Sequence, residues 1–242
     1  MNNFLKATGI YYRNELNSIR KSSTKLQPIY EAFTNSWESI LEKFTTKNLN
    51  LGSINIEFYF KTGLFENDQE NNTIALEKII ITDNGIGLDE KSFTRLLNLR
   101  DNSKSKNNKG TGRIQFLHYF DDTIFESVYK GDDNNYHKIC LTLSKKEAFL
   151  QANAILRKDF DEETDIDKTY AKVEMHTILD YKNDAKFYNT LLLSDVKSEL
   201  ITHFLSRLCE SHEILPKIKL IRYENDKKTE SLTITNQDIP IP

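Results

Sequence analysis

Glu77-Lys-Ile-Ile-Ile-Thr-Asp-Asn-Gly-Ile-Gly-Leu88 is a run of apolar β-branched residues that stops at a carboxylate and then turns on two glycines. Three consecutive isoleucines, Ile79 to Ile81, suit a strand covered on both faces. Asn84-Gly85 is a strong turn signal, and Gly87 repeats the glycine two residues on. Glycine permits positive φ and lets a ligand come close to the backbone. Asp83 therefore lies where a buried strand opens into a turn. Taken alone, the stretch reads equally well as a place where a ligand meets the backbone and as a capped strand with a surface turn, and its companions decide the matter.

Upstream, a helix starts near Gln27-Pro28, since proline fits a first helical turn. Ile29, Phe33, Trp37, Ile40, Leu41 and Phe44 form its apolar stripe. Glu31 and Asn35 are four residues apart and share one flank. A solvated flank continuing through Glu38 and Glu42 is the bland alternative. Asparagine is nonetheless a poor helix-interior residue unless its amide has a task. Downstream, Glu90 to Leu99 reads as a helix through Phe93, Leu96 and Leu97. Arg100 to Arg113 then contains no apolar residue and reads as a loop. It closes on Gly110-Thr-Gly112, and Ile114 to Phe120 resumes as an apolar helix. A glycine pair opening a helix makes an anion seat from backbone N–H groups and the positive end of the helix dipole. Lys104, Lys106, Lys109 and Arg113 add positive charge there, although such lysines could also serve only to solubilise a loop.

The remaining segments supply strands and one long helix. Ser53 to Phe60 alternates with period two and pairs back through a turn at 67–72 onto the isoleucine strand. Thr123 to Tyr129 and His137 to Leu143 form a hairpin around Gly131. Lys145 to Phe160 is amphipathic or irregular, and Asp161 to Asp167 is a solvated acidic loop. Tyr170 to Leu179 is another strand, Asp195 to Glu210 a single strong helix, and 218–223 with 231–235 a closing hairpin. The 242 residues suit one large domain or a domain with an appendage. With 29% charged residues and a net charge of −3, the chain advertises neither nucleic acid nor a membrane surface. Cys140 and Cys209 match no metal spacing and fit free thiols in a reducing compartment. The five histidines share no ligand spacing. There is no secretory signal pattern and no apolar run near 18 residues, which makes a cytoplasmic protein the expectation. The ending at Pro242 reads as a cut at a linker within a longer protein.

Three signals thus stand in fixed order: a helix with Glu31 and Asn35, the strand-turn Asp83-Asn-Gly-Ile-Gly87, and a basic loop closing on Gly110-Thr-Gly112. This order resembles the nucleotide-binding domain of the GHKL superfamily, the Bergerat fold shared by gyrase B, the heat-shock chaperone ATPase, MutL, MORC proteins and histidine kinases. The resemblance covers residues 27–180. It implies an α+β fold, a two-layer α/β sandwich whose mixed, mostly antiparallel sheet carries helices on one face. It also implies roles. Asp83 accepts from the adenine amino group, while Gly85 and Gly87 let the backbone pass the base. Asn35 gives an oxygen to Mg²⁺. Gly110, Thr111, Gly112 and Arg113 meet the phosphates of ATP, and the loop from Leu97 to Lys109 is a lid in which Lys104 or Lys106 touches the triphosphate. Glu31 is the base that orients or deprotonates water in members that hydrolyse ATP.

Glu31, and the lack of a phospho-acceptor helix pair before Asn35, favour an Mg²⁺-dependent ATPase of the MutL, MORC or chaperone type. On this reading ATP orders the lid and brings two copies together as a homodimer, and hydrolysis releases them. The N-terminal segment 1–26 is a dimerisation arm, and 181–242 is a helix-plus-hairpin appendage, the start of a second domain. A histidine or protein kinase and a non-catalytic ATP sensor are the alternatives. Such domains serve chaperoning, DNA-repair signalling and anti-phage defence within larger assemblies. Two departures stand out. Tyr170-Ala171 occupies the place of a Gly-Thr pair that helps hold adenine, and Trp37-Glu38-Ser39 replaces an Asp-Ala pair after the asparagine.

Overall fold

The structure, a computed structural model, describes residues 3–6, 9–63, 74–97 and 112–240. The expected turn at 67–72, the lid, Lys104, Lys106, Gly110 and Thr111 lie outside the described residues.

The fold is α+β in two layers. Nine strands make one sheet in the order β1-β6-β5-β4-β7-β3-β2-β8-β9. In chain order these are β1 (Phe4–Lys6), β2 (Ser53–Thr62), β3 (Ile74–Asp83), β4 (Phe120–Lys130), β5 (Tyr136–Ser144), β6 (Ala154–Glu163), β7 (Tyr170–Ile178), β8 (Lys217–Glu224) and β9 (Lys227–Ile234). The β2–β8 ladder is parallel, and the other ladders among the described residues are antiparallel. The helices are α1 (Tyr12–Ser18), α2 (Gln27–Phe44), α3 (Glu90–Leu97), α4 (Gly112–Tyr119), α5 (Glu147–Gln151), α6 (Asp184–Asn189), α7 (Leu193–His203) and α8 (Leu205–Glu210). None is long and apolar enough to cross a membrane.

Period two decides which face of the sheet meets the helices. Along β2, Ile54, Ile56, Phe58 and Phe60 are buried, whereas Asn55, Glu57 and Tyr59 point to the other face. The buried set joins one core with Ile79 and Ile81 of β3, Ile29, Phe33, Trp37 and Ile40 of α2, and Ile114 and Leu117 of α4. The opposite face carries a ladder of alternating charges. Lys172 bridges Glu174 at 2.9 Å and Glu126 at 3.2 Å, and Lys138 reaches Glu126 at 3.4 Å.

Two segments differ from expectation. The stretch expected to be amphipathic or irregular contains β6, a full strand that runs on through Asp161 to Glu163, the start of the expected acidic loop, and pairs with β5 on one side and β1 on the other. The single helix expected over 195–210 is broken at Phe204 into α7 and α8. Phe204 turns inward there, its ring 4.6 Å from Phe33 and 5.8 Å from Tyr30. Helix α7 and the β8–β9 hairpin join the same core through Val196, Leu200, Ile218 and Ile234, and β8 extends the sheet beyond β2.

The N-terminal segment lies on this frame. After α1, residues 19–25 run as a strap across α4. Gln115 donates to the Arg20 carbonyl at 3.0 Å and accepts from the Ser22 N–H at 2.9 Å. Tyr119 donates its hydroxyl to the Ser22 carbonyl at 2.6 Å and the Thr24 carbonyl at 3.2 Å. Buried Asp184 of α6 anchors the strap through Lys21, with Lys25 at 3.8 Å.

The register makes a contrast between neighbours. Phe58→Ala is expected to cost about 3–5 kcal/mol in urea unfolding, as for a fully buried aromatic. Tyr59→Ala, on the half-buried face, loses a cross-strand stack on Tyr223 with centroids 4.6 Å apart, a 3.1 Å hydrogen bond to Glu57 and the Lys78 ammonium over its ring, and is expected to cost about 1–2 kcal/mol. Equal costs would contradict the register.

Candidate functional site

An open cleft with about 1200 Å³ of empty space lies between α2, the end of β3, α3 and the start of α4. Glu31, Asn35, Asp83, Gly87, Gly112 and Arg113 all line it. Residues far apart in the chain are thus brought to one wall-and-floor arrangement. Gly85 lies behind the turn, against Ser39.

At one end sits Asp83, on the inner face of β3 and only 4% exposed. Its Oδ1 accepts the Gly85 N–H at 2.9 Å, closing the turn on itself. Burial penalises the charged carboxylate and pushes its pKa up from 3.8 to about 6. The Gly85 amide, the Ser36 and Ser39 hydroxyls and the Lys43 charge pull the other way. The Ser39 hydroxyl is buried without a hydrogen-bond partner of good geometry, so it acts on Asp83 as a nearby dipole.

The turn is held from several sides. Lys43 donates to the Asn84 carbonyl at 2.7 Å and to Thr169 Oγ1 at 2.8 Å, and Thr169 donates to the Gly85 carbonyl at 2.5 Å. Asn84 accepts from the Ser53 N–H at 2.7 Å and donates to the Leu51 carbonyl at 3.0 Å. The two glycines are needed for different reasons. Gly87 has φ +83°, and a Cβ there would fall 2.3 Å from the Val128 carbonyl oxygen. For Gly85 the reason is space, because a Cβ would lie 2.5 Å from the Ser39 backbone carbon. Ser127 bridges the turn to the sheet, accepting from the Leu88 N–H and donating to the Tyr170 carbonyl, both at 2.7 Å.

At the other end stand Glu31 and Asn35. Asn35 is exposed at the rim one turn from Glu31. Glu31 Oε1 accepts from the Gln27 amide at 3.0 Å. Its other oxygen lies so close to α4 that a Cβ on Gly112 would be 1.9 Å away, so a larger residue there would displace the Glu31 carboxylate. Burial raises the Glu31 pKa, the Gln27 hydrogen bond lowers it, and the charge of Glu38 raises it further. Arg113 donates to the Arg95 carbonyl at 2.9 Å and so ties α4 to α3 across the cleft.

Several of these residues carry no motif. Ser36, Ser127, Thr169 and Arg95 had no spacing signal. Gln27, Ser39 and Lys43 did have one, because they fall on the i±4 row of Glu31 and Asn35 along α2. Ala171 pairs directly with Asp83, so a methyl group stands beside that carboxylate across the sheet. Among the described residues no group of three or more His, Cys, Asp or Glu side chains is placed to hold a metal ion. Asn35 offers a single neutral side-chain oxygen at the rim of the cleft.

No protein-family model matches the chain, and no curated protein matches it. Among solved structures, one similar chain is described as the crystal structure of the N-terminal domain of a DNA repair protein. It is 11% identical with a TM-score of 0.43, and the match covers 88% of this chain and 56% of that one. The chain thus spans little more than half the length of that structure.

Because burial raises the Asp83 pKa, the folded state binds a proton more tightly than the unfolded chain does. The ionised carboxylate therefore destabilises the fold above about pH 6, and the penalty fades as pH falls from about 6 toward 3.8. Asp83→Asn is expected to raise stability at pH 7.5 by up to about 3 kcal/mol and to give almost nothing at pH 4. Urea unfolding at the two pH values measures the difference, and an equal or opposite effect would contradict the assignment.

Proposed function

We propose that this chain is an Mg²⁺-dependent ATPase domain of the GHKL type. The observation that carries the reading is the single cleft that joins buried Asp83, Glu31 with Asn35, and the glycine-opened start of α4. A buried acceptor-only carboxylate suits an exocyclic amino group. The first turn of α4, with Arg113 beside it, suits phosphate. The length of α2 separates the two ends.

In this reading ATP lies along α2 with its base at Asp83. Asn35 supplies the protein oxygen to Mg²⁺, which would shield charge on the phosphate oxygens when bound. Glu31 accepts a proton from water as the water oxygen bonds to the γ-phosphorus. The bond from that phosphorus to the bridging oxygen breaks, and ADP leaves with the bond's electron pair. The space that a side chain on Gly112 would take is held by the Glu31 carboxylate, which thus stands at the helix end that receives the phosphates. The same reading includes a switch in which ATP joins two copies and hydrolysis parts them.

Two measurements test it. With magnesium, Glu31→Ala is expected to keep ATP affinity while turnover falls at least about 100-fold. Absence of ATP binding by the unmodified chain would sink the reading. Light scattering with a non-hydrolysable ATP analogue is expected to show a dimer, and a persistent monomer would remove the switch.

A further inference from the structure

Gln27 is the first residue of α2, one turn before Glu31, and is half-buried. Its amide takes one carboxylate oxygen, Oε1, at 3.0 Å. The other oxygen, Oε2, rests over Gly112 at the start of α4. The carboxylate is therefore divided: one oxygen is tethered, and the other faces the helix end. Gln27 is itself tethered. Its N–H donates to the Thr24 carbonyl at 3.0 Å, and that carbonyl also accepts from Tyr119 of α4. Pro28 follows, buried, and admits little backbone freedom. A chain of contacts thus runs from α4 through the strap to Gln27 and on to Glu31.

We infer that Gln27 is a positioning residue for hydrolysis, aiming Glu31 at the phosphate end of the cleft and favouring its ionised form, which rests on the reading of Glu31 as the base that activates water. An amide N–H donated to a carboxylate stabilises the charged state, and it removes the rotamer freedom that a lone glutamate keeps. Among the described residues, Glu38 on α2 acts on Glu31 directly, and the cleft also holds Glu42 on α2, Asp83 on β3, Arg95 on α3, Arg113 on α4, Glu126 on β4 and Lys172 on β7. Leucine at position 27 keeps much of the side-chain bulk and deletes the donor. Glutamate keeps the shape and sets a second carboxylate one turn from the first.

The test uses the full chain, Gln27→Leu and Gln27→Glu. It measures affinity for a non-hydrolysable ATP analogue by calorimetry, kcat from pH 5 to 9, and thermal midpoint. Gln27→Leu is expected to bind the analogue within about twofold of the unmodified chain and to lose about tenfold in kcat. Its acid limb should move to higher pH, because a carboxylate without its donor protonates more readily, and Gln27→Glu should move the limb further. If the unmodified chain turns over and Gln27→Leu matches it in kcat and acid limb, the inference fails alone. A kcat loss matched by lost affinity or lost thermal stability overturns it too, since Gln27 is then merely structural. An unmodified chain that binds the analogue but never turns over ATP fails the hydrolase reading, and the inference with it.

Discussion

A carboxylate at the end of a buried strand has to be solvated by something other than water. Around Asp83 the protein supplies a backbone amide from the next turn, two serine hydroxyls from a facing helix, and a lysine charge. Each is weak, and together they leave the carboxyl easier to protonate than in water. The site persists because its surroundings are overdetermined. The turn that follows is fixed from β2 through Asn84, from β7 through Thr169 and from α2 through Lys43. The cost of one buried charge is thus spread over elements that pack together for other reasons.

Helix α2 organises the rest. One side of it is core, through Ile29, Phe33, Trp37 and Ile40. A neighbouring row bears Gln27, Glu31, Asn35, Ser39 and Lys43, which pass in order from the Gly112 end of the cleft to the Asp83 end. The same amphipathic logic that buries the helix therefore exposes its chemistry along a line. Strands β3, β4 and β7 form the floor beneath it, where Asp83, Ala171 and Ser127 stand side by side across the sheet.

Much of this is local and could be read in the sequence. The isoleucine run, the Asn-Gly turn and the stripe on α2 each encode their element through periodicity or turn chemistry. Strand β6 escaped because Ala154, Ile155 and Leu156 are followed by charged residues without alternation, and its pairing partners lie elsewhere in the chain. The break at Phe204 escaped because it follows from rings on α2, not from a glycine or proline. In the site, Glu31, Asn35, Asp83 and Gly112 announced themselves by type and spacing. Ser127 and Thr169 did not, since a hydroxyl reaches its partner there only after three strands have aligned.

The row on α2 also sets how this chain can vary. Glu31 and Ser39 are eight residues apart, about 12 Å along the helix axis. A substitution between them changes local packing, most at buried Phe33 and Trp37, but leaves both ends in phase. Inserting or deleting one residue would turn everything beyond it by about 100° and carry Ser39 and Lys43 away from the turn they support. The segment is therefore a fixed-length spacer: its identity can drift where it is partly exposed, as at Thr34, while its count of residues cannot change anywhere.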